Sequence, residues 1–554
     1  MTSVTSLPSD GGAARQAPHD LLPLLPAEGD RPERISCHDP ATLEPLGEVP
    51  VCSPAEVRER VSRARAAQKA WARSSFRERR RVLRTLLDLI LSRKDEICRM
   101  AALDSGKTLL DAAMGELLPV CEKIRYLLAH GERDLRPEPR SSGILIHKKA
   151  WVEWQPLGVI GVLCPWNFPF HNVFCPVVPA LFAGNAVIAK TSEWTSYSAS
   201  FFQALFDEAL RSCGQPVDLV QIICGAGETG AALVTSGVDK VFFTGSPDNG
   251  RKVMAAAAQT LTPVVLELGG KDPMIICDDA DLDQAVASAM VGVFTACGQM
   301  CVAAERIYVF DAVYDEFVRR VVAQVSALRQ GPPLRGEYDV GALTMPRQLD
   351  IVQQLVDDAV RKGARVLCGG MRRDDLGGQY FAPTVLVDVD HSMEVVRRET
   401  FGPVMVILRV HSDEEAIRLA NDTAYGLGSS VFTRNRQRAA RYARELSAGM
   451  TVINDYGVAY LASALPFGGV RLSGFGRING REGLRACCNE KAVVTDRLPI
   501  HPVFSMYPAR PATRQLILDA TDLIYSSGLR ARARAASSLV RTLLHLARGR
   551  QMPS

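Results

Sequence analysis

Three residues have the types and surroundings needed for covalent chemistry. Cys301 lies in FTACGQMCVAAER, and a cysteine thiolate is a strong nucleophile. Glu267 lies in the apolar run TPVVLELGGKD, where burial would raise the pKa of its carboxyl towards neutrality and suit a general base. Asn167, in GVLCPWNFPF, follows a predicted strand, where its amide could donate a hydrogen bond to an oxyanion.

Each of these residues also fits a purely structural role. The 14 cysteines show no paired CxxC boxes, so we expect no metal site and mostly buried free thiols. Cys297 could be a resolving thiol for Cys301, but packing explains it better. Glu267 alone fits a buried salt bridge equally well, and Asn167 fits a turn beside prolines.

Two further segments have features suited to the adenosine side of a dinucleotide. In AKTSEWT, Lys190 and Glu193 could hold a ribose, with the carboxylate accepting hydrogen bonds from its hydroxyls. The same carboxylate would repel a 2′-phosphate, which favours NAD over NADP. In KVFFTGSPDNG, Gly245, Ser246 and Gly250 lie between a predicted strand and a predicted helix, where backbone N–H groups could approach a pyrophosphate.

A third segment could contact the nicotinamide side. Glu399 and Phe401 in RRETFGPV are an acid and an aromatic residue separated by one position. They could touch a nicotinamide ribose and ring, but the segment taken alone is better explained as an ordinary loop.

The elements that must position these residues alternate along the chain. LGVIGVLC, NAVIAK, DLVQIIC and KVFFTGS are short apolar runs separated by helical patterns such as TSYSASFFQALFDEAL. This alternation predicts a parallel α/β sheet with crossover helices. A second α/β segment follows from about 272 to 470. At 554 residues the chain exceeds one ordinary domain.

Composition excludes several functions and leaves the two ends of the chain distinct. With 65 basic and 61 acidic residues, the net charge of +4 argues against a nucleic-acid partner. The leader has no secretory pattern, so we expect a cytoplasmic protein. The tail from 501 to 554 holds eight Arg and two Asp. It predicts a helix that docks on the protein or on another subunit, or that lies peripherally on an anionic membrane.

Eight motifs occur together in a characteristic order: PWNFPF, KTSE, FFTGS, ELGGK, GQMC, ETFGPV, NDTAYGLGSSVFT and PFGGVRLSGFGR. From about residue 50 to residue 495 the chain therefore resembles the aldehyde dehydrogenase superfamily. The stretches TLTPVVLELGGKD and GREGLRACCNEKAVV, with the basic tail, are most similar to a branch known from plants and fungi.

The resemblance implies a role for each candidate residue. Cys301 corresponds to the nucleophile, Glu267 to the general base, and Asn167 to the oxyanion donor, assisted by the Cys301 N–H. An aldehyde would be oxidised through a thiohemiacetal and a thioester that water hydrolyses. The implied NAD contacts are Pro165, Trp166, Lys190, Ser192, Glu193, Gly245, Ser246, Gly250, Leu268, Gly269, Glu399 and Phe401.

The resemblance also implies an architecture and an oligomer. We expect an α/β fold with a parallel-sheet cofactor domain, an α/β catalytic domain and a protruding β-arm that pairs subunits into a homodimer or homotetramer. The implied divisions are a mobile leader (1–33), an NAD-binding domain (34–133 and 157–269), an oligomerisation arm (134–156 and 485–500), a catalytic domain (270–470) and a basic helical tail (501–554).

Three positions depart from the family pattern. Many members have Asn where this chain has Ala296, an acid where it has Arg398, and Lys where it has Arg471. None of these changes removes a reacting group. They affect the expected geometry of the cofactor loop and of the substrate entrance.

Alternative functions remain open. A CoA-acylating enzyme generally lacks the glutamate base, so Glu267 argues against it. An enzyme for a carboxylated semialdehyde would place an arginine at the substrate, and Arg306 and Arg471 are candidates. A catalytically idle, membrane-docked binding protein conflicts with retention of all three reacting groups.

The expected aldehyde is apolar. By the resemblance, the segment INDYGVAYLASALPF lines the aldehyde entrance. Its Tyr456, Val458 and Tyr460 favour a medium or long aliphatic aldehyde, or an aromatic one.

Overall fold

The computed structural model describes residues 33–498, 507, 509 and 511–548. Apart from its last residue, the predicted leader lies outside the described residues. The chain divides into two compact units, of which the larger holds 33–138 and 152–491. The smaller unit holds 139–151 and the described residues after 491.

The strands of the described residues form four sheets. They are, in chain order, β1 (Arg34–His38), β2 (Pro45–Pro50), β3 (Glu138–Arg140), β4 (Lys148–Pro156), β5 (Val159–Leu163), β6 (Ala186–Thr191), β7 (Val220–Cys224), β8 (Lys240–Gly245), β9 (Val264–Leu268), β10 (Asp272–Ile276), β11 (Ala304–Phe310), β12 (Arg365–Cys368), β13 (Thr384–Val387), β14 (Val404–Val410), β15 (Ser430–Phe432), β16 (Val452–Ile453), β17 (Gly474–Phe475) and β18 (Cys488–Asp496).

The α-helices connect and cover these sheets. They are α1 (Pro54–Trp71), α2 (Phe76–Ser92), α3 (Lys94–Ser105), α4 (Leu109–Ala112), α5 (Leu118–Tyr126), α6 (Glu132–Asp134), α7 (Pro169–Phe182), α8 (Ala199–Ser212), α9 (Gly227–Thr235), α10 (Pro247–Ala258), α11 (Leu282–Phe294), α12 (Asp311–Ser326), α13 (Pro346–Arg361), α14 (Glu394–Arg397), α15 (Asp413–Asn421), α16 (Arg436–Glu445), α17 (Val458–Leu461), α18 (Gly480–Arg485), α19 (Pro511–Tyr525) and α20 (Leu529–Arg548).

The first large sheet has the order β17-β9-β8-β5-β6-β7. Its strands run parallel except for β17, which is antiparallel to β9. Every residue of β5, β6 and β7 is buried, because helices cover both faces of a parallel sheet and demand apolar strands. The chain reverses its direction of travel across the sheet between β5 and β8, the position where α/β sheets open a crevice for ligands.

The second large sheet has the order β12-β13-β14-β11-β10-β15-β16. All neighbouring strands pair in parallel except β12 and β13. Each large sheet has its own apolar core. The prediction of a parallel α/β fold is therefore confirmed.

The segments predicted to form an arm build a three-stranded sheet in the order β18-β4-β3. Pairing of this sheet between subunits remains a prediction. In the smaller unit, α19 and α20 pack against each other. None of the described helices combines the length and apolar composition needed to cross a bilayer.

Candidate active site

Glu267 lies at the carboxyl end of β9. Its Oε1 atom is buried and has no hydrogen-bond partner among the described residues. Burial raises the pKa of its carboxyl to about 8, and the positive charge of Lys123 opposes this rise. The carboxyl lines a small cavity with His171, Cys175 and Tyr460, which has room for a water molecule. The carboxyl of Glu267 therefore ionises at a pH close to neutrality, as a general base requires.

Cys301 lies in a strained turn that precedes β11. Ala296 and Cys297 have φ of 50° and 57°, a conformation that costs energy for residues with a Cβ atom. The Gln299 side chain secures this turn, because its Nε2 atom donates to the Ala296 carbonyl at 3.0 Å and its Oε1 atom accepts from the Thr344 N–H at 2.9 Å. Gln299 was not identified from the sequence.

The two thiols of this turn have different surroundings. The pKa of the Cys301 thiol is raised well above its ordinary value, first by burial and then by the charges of Glu267, Glu399 and Asp272. Cys301 is therefore protonated near neutral pH until a base accepts its proton, and Glu267 is the carboxyl that acts on it most strongly. Cys297 is fully buried in the core of the second sheet, which fits packing rather than a resolving thiol.

Asn167 follows β5 and is fixed by three hydrogen bonds. Asn172 Nδ2 donates to its side-chain oxygen at 3.0 Å, which directs the amide nitrogen towards the nucleophile turn. That nitrogen donates to the Gln299 carbonyl at 2.9 Å. Lys107 Nζ donates to the Asn167 backbone carbonyl at 2.7 Å. An amide has two N–H groups, so one stays open to an oxyanion.

A buried ion pair supports Asn167 from behind. Lys107 and Glu116 pair at 2.5 Å, with side chains 1% and 0% exposed. Glu116 Oε2 also accepts from the His171 N–H at 2.8 Å, and Lys107 Nζ lies 3.8 Å from the ring centre of Phe168. The pair was not predicted, because a lysine and a glutamate nine positions apart leave no helical or strand signal.

Two glycines allow the backbone to close around the site. A Cβ atom on Gly269 would lie 2.3 Å from Glu399 Oε2, and one on Gly270 would lie 2.2 Å from the Cys301 carbonyl oxygen. The Gly270 N–H donates to Glu399 Oε1 at 2.9 Å. Burial, followed by the charge of Glu305, raises the pKa of Glu399 to about 8.

Glu305 holds the loop that carries Glu399 and Phe401. Its carboxylate accepts the Thr400 N–H at 2.8 Å and the Phe401 N–H at 2.9 Å, and it pairs with buried Lys271 at 2.6 Å. Phe401 keeps a positive φ of 50°, and its ring meets Trp166 edge-on with centroids 5.4 Å apart. Glu305 and Lys271 were not predicted from the sequence.

The predicted dinucleotide residues lie at the carboxyl edge of the first sheet. Pro165 follows β5, Lys190 lies near the end of β6 and Ser192 directly follows it, Gly245 ends β8, and Leu268 ends β9. This is the edge at which open α/β sheets bind ligands.

The side chains at this edge fit a dinucleotide. Lys190 Nζ lies 3.4 Å from Glu193 Oε2, with the lysine nearly buried and the carboxylate 39% exposed. Ser246 caps α10 by accepting from the backbone of its first turn, and helix N-termini favour phosphate groups. A Cβ atom on Gly250 would lie 2.8 Å from Leu268, so this glycine lets α10 pack against the end of β9.

The arginines singled out by the sequence have other partners. Arg306 is fully buried and donates to the backbone carbonyls of Lys271, Leu419 and Ala420. Arg471 donates to the carbonyl of Asn421, the last residue of α15, and to that of Thr423, two residues later. Both guanidinium groups thus hydrogen-bond backbone carbonyls within the protein. Within the described ranges, no cluster of His, Cys, Asp or Glu could hold a metal ion.

The doubly wound sheet and the groups at its edge define the class of protein, an α/β oxidoreductase. The particular family follows from comparison with known proteins. The model of the aldehyde dehydrogenase family matches residues 27–493, and the chain belongs to that family. It is therefore an oxidoreductase that acts on aldehydes.

Relatives and solved structures agree with this assignment. An aldehyde dehydrogenase-like protein of Schizosaccharomyces pombe is 40% identical, over 84% of this chain and 90% of its own length. The 4,4'-diapolycopene aldehyde oxidase of Methylomonas sp is 39% identical, over 84% and 86%. Betaine aldehyde dehydrogenase of Staphylococcus aureus, solved with NAD+, is 31% identical with a TM-score of 0.79, over 85% of this chain and 95% of that structure.

Proposed function

We propose that this protein oxidises an aldehyde to a carboxylic acid, with NAD as the electron acceptor and Cys301 as the nucleophile. The observation that carries the proposal is the convergence on one thiol. Gly270, three residues after Glu267, packs against the Cys301 carbonyl and donates its N–H to Glu399. Asn167 is hydrogen-bonded to the turn that holds Cys301. A nucleophile, a base and an oxyanion donor are the groups that covalent aldehyde oxidation requires.

In the first half of the reaction, Glu267 accepts the Cys301 proton and the sulfur forms a bond to the aldehyde carbon. The free N–H of Asn167 Nδ2 and the Cys301 backbone N–H hold the resulting oxyanion. NAD held at the edge of the first sheet would supply the acceptor for the hydride of this carbon. The carbon then remains attached to Cys301 as a thioester.

In the second half, water resolves the thioester. Glu267 removes a proton from a water molecule, whose oxygen attacks the thioester carbon. The carbon–sulfur bond breaks, the sulfur leaves as the Cys301 thiolate and takes up a proton again, and the acid departs. The cavity beside Glu267 has room for this water. Glu267 therefore accepts a proton twice in each turnover.

The contacts at the sheet edge support NAD over NADP. The half-exposed Glu193 carboxylate beside Lys190 can accept hydrogen bonds from ribose hydroxyls and would repel a 2′-phosphate. The predicted pyrophosphate contacts, Gly245 and Ser246, lie at the start of α10. Trp166 and Phe401 form an aromatic corner for the nicotinamide side.

The substrate we propose is an apolar aldehyde. Tyr460 lies in van der Waals contact with Phe467 and hydrogen-bonds His171 at the cavity of Glu267. Val458 is 41% exposed on the same short helix. Arg306 is committed to backbone carbonyls, which disfavours a carboxylated semialdehyde. The relative named for 4,4'-diapolycopene aldehyde is consistent with an apolar substrate.

Assembly into a homodimer or homotetramer through the arm is also part of the proposal. In the sheet order, β18 is an edge strand, and most of its residues are exposed. Exposed edge strands are commonly covered by pairing with another chain. Deleting 492–496 should release monomers in sedimentation experiments.

The face that α20 exposes fits docking of the tail on a subunit, and a peripheral membrane contact is the alternative. Arginines follow one helical stripe beside an exposed apolar stripe. The arginine stripe is Arg530, Arg534 and Arg541, and the apolar stripe is Leu529, Val540 and Leu544. With a membrane contact, anionic vesicles should sediment the full chain and not a variant with the three arginines changed to glutamine. Equal sedimentation of both proteins would favour docking of the tail on a subunit.

The activity is tested by following NADH formation over a panel of aldehydes. We expect turnover with NAD above that with NADP, highest for apolar aldehydes and lost in Cys301→Ala. Turnover that requires CoA would instead assign an acylating enzyme. A folded protein that binds NAD and oxidises no aldehyde would favour a binding role.

A further inference from the structure

Lys123, in the middle of α5, has a buried amine with no partner. Its side chain is 3% exposed, and its Nζ atom has no hydrogen-bond partner among the described residues. An ammonium has three N–H groups to satisfy, and burying it without a partner is strongly unfavourable. Accordingly, burial lowers the pKa of Lys123. Such an amine needs an explanation other than stability.

The helix of the unpartnered amine, α5, packs against α7 and α17, whose Cys175 and Tyr460 line the cavity of Glu267. Glu267 Oε1 is buried and lacks a hydrogen bond, as Lys123 Nζ does. Lys123 is the charge that most opposes the raised pKa of Glu267. Cys175 connects the two, since it lines the cavity with Glu267 and also interacts with Lys123. A buried acid that lines this cavity and a buried base on a helix packed beside it thus both lack a hydrogen-bond partner.

The local helix geometry holds Lys123 in place. Two π-helical turns, Ala113–Leu117 and Leu127–Gly131, flank α5, and such turns often occur at functional sites. A Cβ atom on Gly115 would lie 2.3 Å from the Phe168 ring, and one on Gly131 would lie 2.4 Å from the Phe182 ring. Both turns are therefore packed tightly against the ends of α7, and α5 between them is fixed.

Among the titratable groups around the pair, Lys123 is the one able to take up the proton of Glu267. Burial lowers the pKa of His171 to about 3, so this ring is neutral. Arg477 also acts on Glu267, though less than Lys123 does. The remaining groups have pKa values raised by burial and are neutral near pH 7, namely Cys175, Cys301, Tyr460 and Cys487.

We propose that Lys123 is a positioning residue for the base, sharing one proton with Glu267 so that the carboxyl is returned to its ionised form within each turnover. The proposal rests on the proposed function, in which Glu267 accepts a proton from the thiol and then one from water. The proton moves from the Glu267 carboxyl to the Lys123 amine, giving a carboxylate and an ammonium. The ammonium later gives the proton up to solvent, and no other reactant is consumed.

The test separates acylation of the thiol from hydrolysis of the acyl-enzyme. p-Nitrophenyl acetate should acylate Cys301 in a burst that needs neither NAD nor Lys123, and the steady rate that follows should report hydrolysis by Glu267. We expect the acid limb of this hydrolysis rate to move up by about one pH unit in Lys123→Met, with a loss of about tenfold at pH 7. The rate at high pH should match that of the unaltered protein.

Three further variants distinguish charge from packing. Lys123→Gln keeps a polar group but no charge, so it should shift the profile as Lys123→Met does. Lys240→Met removes a half-buried amine, which donates to the Ala486 carbonyl, and should leave the profile in place. The infrared band of the Glu267 carboxyl, isolated by subtraction of Glu267→Gln, should persist to higher pH in Lys123→Met.

The possible results of these experiments separate the role of Lys123 from the proposed function. A burst with superimposable pH profiles and an unmoved carboxyl band in Lys123→Met would overturn the role of Lys123 alone. A loss of rate that is equal at every pH would assign Lys123 to packing. The absence of any burst in the unaltered protein would overturn the proposed function, and with it this inference.

Discussion

Gly270 and Cys301 are in such close contact that a Cβ atom on Gly270 would lie 2.2 Å from the Cys301 carbonyl oxygen. The base Glu267 lies three residues before this glycine, on β9. The distance between base and nucleophile is therefore set through backbone packing, with no intervening side chain. Rigid elements hold reacting groups more accurately than flexible side-chain contacts do.

Replacing Gly270 with alanine should disable the enzyme without unfolding it. The new methyl group must displace the Cys301 carbonyl, and a misplacement of about 1 Å costs on the order of a hundredfold in rate. We expect kcat/KM to fall by about that factor. Gly227→Ala is the matched control, because a Cβ atom there meets nothing within 4 Å. Equal activity of both variants would show that the turn tolerates the shift.

The two cysteines of the nucleophile turn should respond differently to removal. Cys301→Ala should abolish aldehyde oxidation and the acylation burst, because no other thiol faces the proposed oxyanion donors. Cys297→Ala should retain oxidation and lose about 1 kcal/mol of unfolding free energy, since it leaves a small void in a packed core. Steady-state rates and urea unfolding measure both effects. Loss of oxidation in Cys297→Ala alone would reverse the assignment.

The fold could be predicted because burial leaves a direct record in the residue types. Strands such as β6 and β7 are buried on both faces, so their sequences are continuous apolar runs. The alternation of these runs with helices then indicates a parallel sheet. Glu267 and Asn167 could be singled out because their motifs place a polar residue in an apolar run or at the end of a predicted strand. Cys301 was identified through the resemblance to the aldehyde dehydrogenase family.

The supporting residues could not be predicted, because their importance depends on contacts distant in sequence. Glu305 matters through the backbone of Phe401, and Gln299 matters through Thr344. Lys123 lies in LPVCEKIRY, where it reads as an ordinary charged position on a helix. Its burial appears only when α5 packs on α7, which no local pattern reveals.

The stability of the protein should depend on Glu267 and on pH. Its pKa rises from an ordinary value of 4.5 to about 8 on folding. The folded state therefore binds this proton more tightly than the unfolded state does, and stability is lost as the pH rises from about 4.5 to about 8. Glu267→Gln removes this loss, so it should stabilise the protein by on the order of 3 kcal/mol at pH 7.

Chemical unfolding at about pH 5 and pH 8 measures this effect. The advantage of Glu267→Gln over the unaltered protein should be small at the lower pH and large at the higher. The exposed Glu490→Gln is the control and should show no such trend. An advantage that does not change with pH would mean that Glu267 does not titrate in this interval.

The buried pair of Lys107 and Glu116 should show strong coupling. Lys107→Met leaves a buried carboxylate without its partner, and such a loss costs about 3–5 kcal/mol. The double variant with Glu116→Gln should cost less than the sum of the two single changes, by about 1–3 kcal/mol. Urea unfolding of the unaltered protein, the two single variants and the double variant gives the coupling free energy. The exposed pair of Arg125 and Glu122 should couple by less than about 1 kcal/mol.

The choice between NAD and NADP should depend on Glu193. Its carboxylate lies 3.4 Å from Lys190 Nζ and is 39% exposed, at the edge where the adenosine ribose is proposed to bind. Glu193→Gln keeps the shape and removes the negative charge that would repel a 2′-phosphate, while Lys190 becomes free to pair with that phosphate. We expect the ratio of kcat/KM for NADP to that for NAD to rise by about tenfold, since partly exposed charges contribute on the order of 1 kcal/mol. Glu208→Gln, on the exposed side of α8, should leave the ratio unchanged. A ratio that stays constant in Glu193→Gln would place the ribose away from Lys190 and Glu193.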